Sequence, residues 1–187
     1  MKIAITGHTH GIGEAFAKQL SARGHEIIGI SRRDGENIKR VLHTATLIEP
    51  ATLFINNAQS TYAQTELLYE VWKRWKGLDK WIWNISTMLT EAPTMIDIEV
   101  PGQDDWRMSQ YRNQKLSLEE ACRQLRYMDS QPQQSIIRPG AVATYPPIDK
   151  KVNTDQWVKA ILETFYRNPD LHISEISVGH CDKRIDL

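Results

Sequence analysis

The sequence predicts an α/β domain built on a doubly wound parallel sheet. Short apolar runs, typical of buried parallel strands, alternate along the whole chain with segments of helical periodicity. A glycine-rich turn lies between the first apolar run and the first helical segment. No linker, low-complexity tract or internal repeat interrupts this alternation, so residues 1–187 are expected to form a single domain.

The predicted elements follow one another from the N-terminus. Strands are expected near residues 2–6, 26–31, 52–56, 81–86, 134–138 and 172–178. Helices are expected near residues 12–23, 40–48, 65–76, 108–127 and 154–167. The helical period is clear in one segment, where the apolar positions are Leu116, Leu118, Cys122 and Leu125.

The turn between the first strand and the first helix contains Gly7, Gly11 and Gly13. Glycines let a backbone approach a pyrophosphate, and the N-terminus of a helix presents free N–H groups and a partial positive charge. A glycine cluster on its own could be an ordinary strand-to-helix turn. Its position directly between a strand and a helix favours a nucleotide-binding site.

The glycine spacing resembles the TGxxxGxG signature of the short-chain dehydrogenase/reductase family. Four later segments resemble that family in the same order: NNA at residues 56–58, NIST at 84–87, YRNQK at 111–115 and PGAVAT at 139–144. Five ordered segments are much more specific than any one of them. The resemblance implies a Rossmann-type fold, a nicotinamide cofactor and a small-molecule substrate that is a carbonyl compound or an alcohol.

The resemblance also implies catalytic residues. Tyr111 and Lys115 are four residues apart, which places them on one face of a helix, where the lysine can lower the tyrosine pKa. The family's catalytic serine falls on Thr87, and Ser86 precedes it. A second YxxxK pattern at Tyr69–Lys73 comes before the NIST segment, and we interpret it as a solvated helix face.

Arg32 and Arg33 end the second predicted strand, where NAD-binding proteins usually carry an acid. Guanidinium groups bind phosphate in a bidentate manner, so the pair favours NADP(H) over NAD(H), although it could also be a solvated strand end. Asn37 and Ile38 are predicted to be the remnant of a third strand against the adenine. The other cofactor-binding residues that the resemblance implies are Gly7, Thr9, His10, Gly11, Ile12, Gly13, Asn57, Ala58, Ile85, Tyr111, Lys115, Pro139, Gly140, Val142 and Thr144.

The chain departs from the family in several places. The connection after Thr144, which carries a substrate lid in full-length members, is short, while residues 88–106 form a long acidic segment. We predict that this segment replaces the lid and favours a neutral or cationic substrate; a solvated surface loop is the alternative. No asparagine lies between Asn57 and Asn84, so the helical asparagine of the family's proton relay is not evident.

These departures leave open a non-catalytic NADP(H)-binding protein, such as a redox sensor or an interaction module. A sugar-nucleotide epimerase is less favoured, because that branch of the family normally adds a substantial C-terminal domain.

Composition restricts the partners. The formal net charge is +0 and basic residues are not clustered, which argues against a nucleic-acid or membrane surface. His8 and His10 have no third ligand nearby, and Cys122 and Cys181 are too few and too far apart for a disulfide framework, so no metal site is expected. With no apolar segment long enough for a signal peptide, we expect a cytoplasmic protein, possibly a homo-oligomer.

Overall fold

Strands and helices alternate in the computed structural model, which describes residues 1–91, 105–143 and 152–179. The strands are β1 (Lys2–Thr6), β2 (Glu26–Ile30), β3 (Leu53–Asn56), β4 (Trp81–Ile85), β5 (Gln133–Pro139), β6 (Val142–Ala143), β7 (Val152–Asn153) and β8 (Glu175–Val178). The helices are α1 (Gly11–Ala22), α2 (Val41–Ile48), α3 (Ala63–Trp75), α4 (Asp105–Met128) and α5 (Thr154–Arg167). The six predicted strands and five predicted helices are therefore all confirmed.

Six strands form one parallel sheet in the order β2-β1-β3-β4-β5-β8. The chain moves from β1 outward to β2 and then crosses to β3 on the other side of β1. This reversal creates a crevice at the carboxyl ends of β1 and β3, the place where open α/β sheets bind ligands. The short strands β6 and β7 form a separate parallel pair.

The sheet is covered on both faces. One apolar cluster packs α2, α3 and α4 against the sheet and contains the buried Trp75. The other cluster packs α1 and α5 against the opposite face around Phe16 and Trp157, whose rings meet edge to face with centroids 6.3 Å apart. No helix among the described residues has both the length and the apolar composition needed to cross a membrane.

The predicted third-strand remnant is wrong. Asn37 and Ile38 are not in a strand, and in the described part of the chain β2 is the outermost strand on its side of the sheet. The reason is that the connection between β2 and α2 is short. A single 3-10 turn at Arg32–Asp34 follows β2, and α2 already begins at Val41. Ile38 is nevertheless 6% exposed and packs into the apolar cluster that contains α2.

Candidate active site

The glycine turn brings the start of α1 very close to the end of β1. Gly7 and Gly11 have φ angles of 72° and 57°, in the left-handed region that favours glycine. A Cβ atom on Gly13 would lie 2.3 Å from the Gly7 carbonyl oxygen, so no other residue fits there without a backbone shift. The turn thus forms the close backbone cradle that the sequence predicts for a phosphate group.

The NNA segment is fastened to this turn through Thr6. The Thr6 hydroxyl oxygen accepts hydrogen bonds of 3.0 Å from the backbone N–H groups of Asn57 and Ala58. The Asn57 side chain donates to the Thr6 carbonyl at 2.9 Å. Asn57 therefore stabilises the cradle by connecting β1 to the segment after β3.

A cleft of about 390 Å³ extends from the glycine turn over the end of β2. Arg32, Arg33, Asn37 and Ile38, the residues assigned by the sequence to the adenosine end of a cofactor, all line it. Both arginines are exposed, and neither forms an ion pair within the described part of the chain. Two cations are thus available at the rim of the cleft.

Two acids, Asp34 and Glu36, do lie near the end of β2, which the sequence interpretation overlooked, and Glu36 lines the cleft. Asp34 accepts a hydrogen bond of 2.7 Å from the Ser31 hydroxyl and lies 3.5 Å from His8 Nε2. Its carboxylate is therefore occupied by neighbouring side chains. The His8 ring packs against Gly29, where a Cβ atom would lie 2.4 Å from the ring.

The other residues of the glycine turn make different contacts. Thr9 and His10 line the cleft and are joined by a hydrogen bond of 3.1 Å between the hydroxyl and Nδ1. Ile12 packs against the apolar cluster around Phe16. Among the described residues, no group of three histidine, cysteine or acidic side chains is arranged to hold a metal ion.

Thr87 and Tyr111 meet beyond the end of β4. Thr87 is 8% exposed, and its side chain lies close enough to the Tyr111 hydroxyl to favour the ionised phenol. Burial raises the pKa of Tyr111, and the Thr87 side chain opposes that effect without cancelling it. The tyrosine pKa is thus raised, where a lowered one was expected, and its phenol holds its proton at neutral pH.

Lys115 lies one helical turn after Tyr111, with Nζ 5.7 Å from the centre of the tyrosine ring. It is 3% exposed, and Nζ donates hydrogen bonds of 2.8 Å to Gln64 Oε1 and to the Ile85 carbonyl. Burial lowers the pKa of Lys115 to about 7, although the nearby Glu119 carboxylate acts in the opposite direction. The ammonium group is therefore enclosed by protein groups.

Gln64 is a site residue that sequence reasoning missed. It is 2% exposed at the start of α3, and besides accepting from Lys115 it donates to the Asn56 and Ile85 carbonyls at 2.6 and 3.1 Å. A glutamine in the first turn of a helix carries no motif, so only the position of Lys115 in the fold identifies it. On the same helix Tyr69 is 44% exposed, in agreement with a solvated face for the second YxxxK pattern.

Ser86 points away from the Thr87–Tyr111 pair. Its hydroxyl is buried and donates a hydrogen bond of 2.5 Å to Glu119 on α4. Ile85, the residue before it, contributes its carbonyl to Lys115. The two adjacent hydroxyls of the NIST segment thus have different environments, and only Thr87 faces the tyrosine.

Pro139 ends β5 at the same edge of the sheet. Gly140 follows it, donates a backbone hydrogen bond of 3.0 Å to Val178, and approaches Gly179 and the Met88 sulfur too closely for a side chain. Val142 is buried in the cluster around Phe16. Thr144 and residues 92–104 of the predicted lid lie outside the described residues.

The fold is shared with solved dehydrogenase structures, although no protein-family model and no curated protein matches the sequence. An alcohol dehydrogenase from the archaeon Thermococcus sibiricus, complexed with 5-hydroxy-NADP, matches with a TM-score of 0.70 at 15% identity over 100% of this chain and 99% of that one. A short-chain dehydrogenase from Burkholderia cenocepacia in complex with NADP gives 0.70 at 16% identity over 95% and 87%. The 3-alpha-hydroxysteroid dehydrogenase from a Pseudomonas species, complexed with NADH, gives 0.67 at 16% identity over 95% and 94%. The chain therefore has the Rossmann-type fold of short-chain dehydrogenase structures.

Proposed function

We propose that the protein is an NADP(H)-dependent oxidoreductase that reduces a carbonyl group of a small molecule, or oxidises the corresponding alcohol. The observation that supports this function best is the proximity of Thr87, Tyr111 and Lys115 at the carboxyl edge of the sheet, the edge that also carries the glycine turn. A proton donor, a hydroxyl and a cation next to a nucleotide cradle are the groups that hydride transfer to a carbonyl requires.

The residues around the cradle fit the cofactor. The tight contact between Gly13 and Gly7 leaves the N-terminus of α1 accessible to a diphosphate. Arg32 and Arg33 at the cleft rim would hold the 2′-phosphate that distinguishes NADP(H) from NAD(H). Since the structural neighbours include complexes with both kinds of cofactor, the choice of NADP(H) depends on these two arginines.

NADPH, when bound, supplies a hydride for the carbonyl carbon. The Thr87 hydroxyl donates a hydrogen bond to the carbonyl oxygen and so orients the substrate. The Tyr111 phenol transfers its proton to that oxygen as negative charge develops on it. Lys115, when protonated, stabilises the tyrosinate that remains, and the tyrosine regains its proton from solvent.

The electrostatics of the site favour reduction over oxidation. Reduction requires a protonated phenol at the start of the step, whereas oxidation requires a tyrosinate. Because burial raises the pKa of Tyr111, the protonated form predominates at neutral pH.

Replacing Tyr111 with phenylalanine tests this proposal. The ring stays and only the transferable proton is lost, so turnover should fall by about 10²–10⁴-fold while NADPH binding is retained. Tyr69→Phe is the matched control, because Tyr69 belongs to the second YxxxK pattern and lies on an exposed helix face. Equal rates in the Tyr111→Phe variant and the wild type would remove Tyr111 from the mechanism.

The enclosure of Lys115 favours a second candidate, a protein that binds NADP(H) without turnover. Nζ already donates to two protein acceptors at 2.8 Å, and Lys115 is 3% exposed, so at most one N–H group of the ammonium remains for a ribose. A non-catalytic protein would bind NADPH yet oxidise none of it with a broad panel of aldehydes, ketones and pterins. Steady consumption of NADPH with any member of that panel would show that the protein is an enzyme and would exclude this second candidate.

A further inference from the structure

Glu119 is a buried carboxylate on the helix that carries Tyr111 and Lys115. The three residues follow one another at intervals of four, so they lie on one face of α4. Glu119 is 2% exposed. A carboxylate in such a place is costly unless charged and hydrogen-bonding partners surround it.

Its first group of partners belongs to the turn after β4. Ser86 Oγ and Thr90 Oγ1 donate to Glu119 Oε1 at 2.5 and 2.7 Å. These two residues flank Thr87, and Thr90 Oγ1 also approaches the Thr87 carbonyl at 2.7 Å. Within the same turn, Leu89 N–H donates to the Thr87 hydroxyl oxygen at 3.3 Å. The carboxylate therefore closes a turn of which Thr87 is the first residue.

Its charged partners are Arg138 near the end of β5 and Arg123 on α4, whose Nη2 donates to Oε2 at 3.2 Å. Arg138 Nε donates to Oε1 at 2.9 Å and Nη2 donates to Oε2 at 2.6 Å, a bidentate ion pair. Arg138 directly precedes Pro139 and Gly140, and its guanidinium also donates to Glu175 on β8 at 2.6 Å. Burial alone would raise the pKa of Glu119, but the hydrogen bonds from Arg138, Ser86 and Thr90 outweigh it and lower the pKa.

We propose that Glu119 is a positioning residue that holds the turn of Ser86 to Thr90 in place and so fixes where the Thr87 hydroxyl lies. The carboxylate does not touch the reacting groups. It acts through two hydroxyls, one on each side of Thr87, while Arg138 fixes the carboxylate itself. The inference rests on the proposed function for its catalytic meaning, but the effect of Thr87 on the pKa of Tyr111 can be measured without turnover.

The test removes the two hydroxyls and leaves every charge in place. The double variant Ser86→Ala, Thr90→Val loses the two hydroxyl donors to Oε1 but keeps the pair of Glu119 with Arg138. All tyrosines are replaced with 3-fluorotyrosine, whose phenol is more acidic than that of tyrosine, and ionisation is followed by ¹⁹F NMR. The resonance that disappears on Tyr111→Phe belongs to position 111.

We expect the pKa of the residue at position 111 to rise by roughly half to one pH unit in the double variant, which is the effect of losing one hydrogen bond. The matched control is the double variant Ser135→Ala, Thr164→Val. It also deletes one buried serine hydroxyl and one threonine hydroxyl, which donate to the Ile173 and Ala160 carbonyls, and it should leave that pKa unchanged.

An unchanged or lowered pKa in the Ser86→Ala, Thr90→Val variant overturns the proposal, as does an equal rise in the control. If the double variant does not fold, Thr90→Val alone keeps the test decisive, because it removes the bonds to both Glu119 and the Thr87 carbonyl. Binding of NADPH to the wild type, followed by its fluorescence, is measured separately. Its absence would contradict the proposed function and leave the tyrosine result unaffected.

Discussion

Burial of Lys115 should make the stability of the protein depend on pH in a defined direction. In the folded protein the pKa of Lys115 is lowered from 10.5 to about 7, because the ammonium group is shielded from solvent. Above pH 7 the unfolded chain therefore binds one more proton at this position than the folded chain. Stability rises with pH wherever the unfolded state binds more protons. Lys115 should thus contribute stability that increases between pH 7 and about 10.

The perturbation is Lys115→Met, which keeps the length of the side chain and removes the titrating group. A lowered pKa corresponds to at most about 1.4 kcal/mol of stability per pH unit. Between pH 6 and pH 9 the wild type should therefore gain roughly 2–3 kcal/mol relative to the variant. The variant also leaves Gln64 Oε1 and the Ile85 carbonyl without their donor, but that cost does not vary with pH.

Urea unfolding followed by circular dichroism at half-unit pH steps measures the difference between the two proteins. Other titrating groups cancel in this difference, including the Cys122 thiol, whose pKa burial raises to about 11. A difference in unfolding free energy that stays constant from pH 6 to pH 9 would refute the reasoning. It would mean that Lys115 keeps an ordinary pKa because water reaches it.

Two further predictions concern the cofactor cleft. Arg32→Ala should weaken the binding of NADPH by about 10–100-fold in a fluorescence titration, because a lost charge-assisted hydrogen bond costs about 1.5–3 kcal/mol. The affinity for NADH should stay nearly unchanged. Equal losses of affinity for the two cofactors would show that Arg32 does not recognise the 2′-phosphate. Gly13→Ala places a Cβ 2.3 Å from the Gly7 oxygen and should abolish NADPH binding in the same titration. Gly77→Ala is its control, since an added Cβ there meets nothing within 4 Å, so its positive φ of 75° should cost only about 1–2 kcal/mol of stability and no affinity.

The sequence was sufficient to predict the sheet, because buried parallel strands and amphipathic helices leave local patterns such as Leu53-Phe54-Ile55 before the NNA segment. It was also sufficient to predict that Thr87, Tyr111 and Lys115 approach one another. Predictions from short sequence patterns failed where contacts between distant segments determine the structure. Asn37 and Ile38 read as a strand remnant, yet the space before α2 is too short for one.

The groups that surround the site were not predictable for the same reason. Gln64 contacts Lys115 across 51 positions of sequence, and Ser86 contacts Glu119 across 33. Neither pair has a characteristic spacing, because each depends on how α4 packs against the sheet. Two adjacent hydroxyls in one motif, those of Ser86 and Thr87, looked equivalent until the direction of each side chain was known.

In the described part of the chain β2 forms an edge of the sheet, and such an edge bears on how a protein behaves when it is concentrated. A strand at the margin of a sheet exposes backbone donors and acceptors that can pair with a strand of another molecule. Here that margin is five residues long, begins at the charged Glu26, which lies 3.3 Å from Lys2, and is followed closely by the 3-10 turn at Arg32–Asp34. Shortness, charge and an abrupt end are the features by which natural proteins discourage strand-to-strand aggregation. With these features, the exposed β2 edge is poorly suited to pairing with the same edge of another molecule.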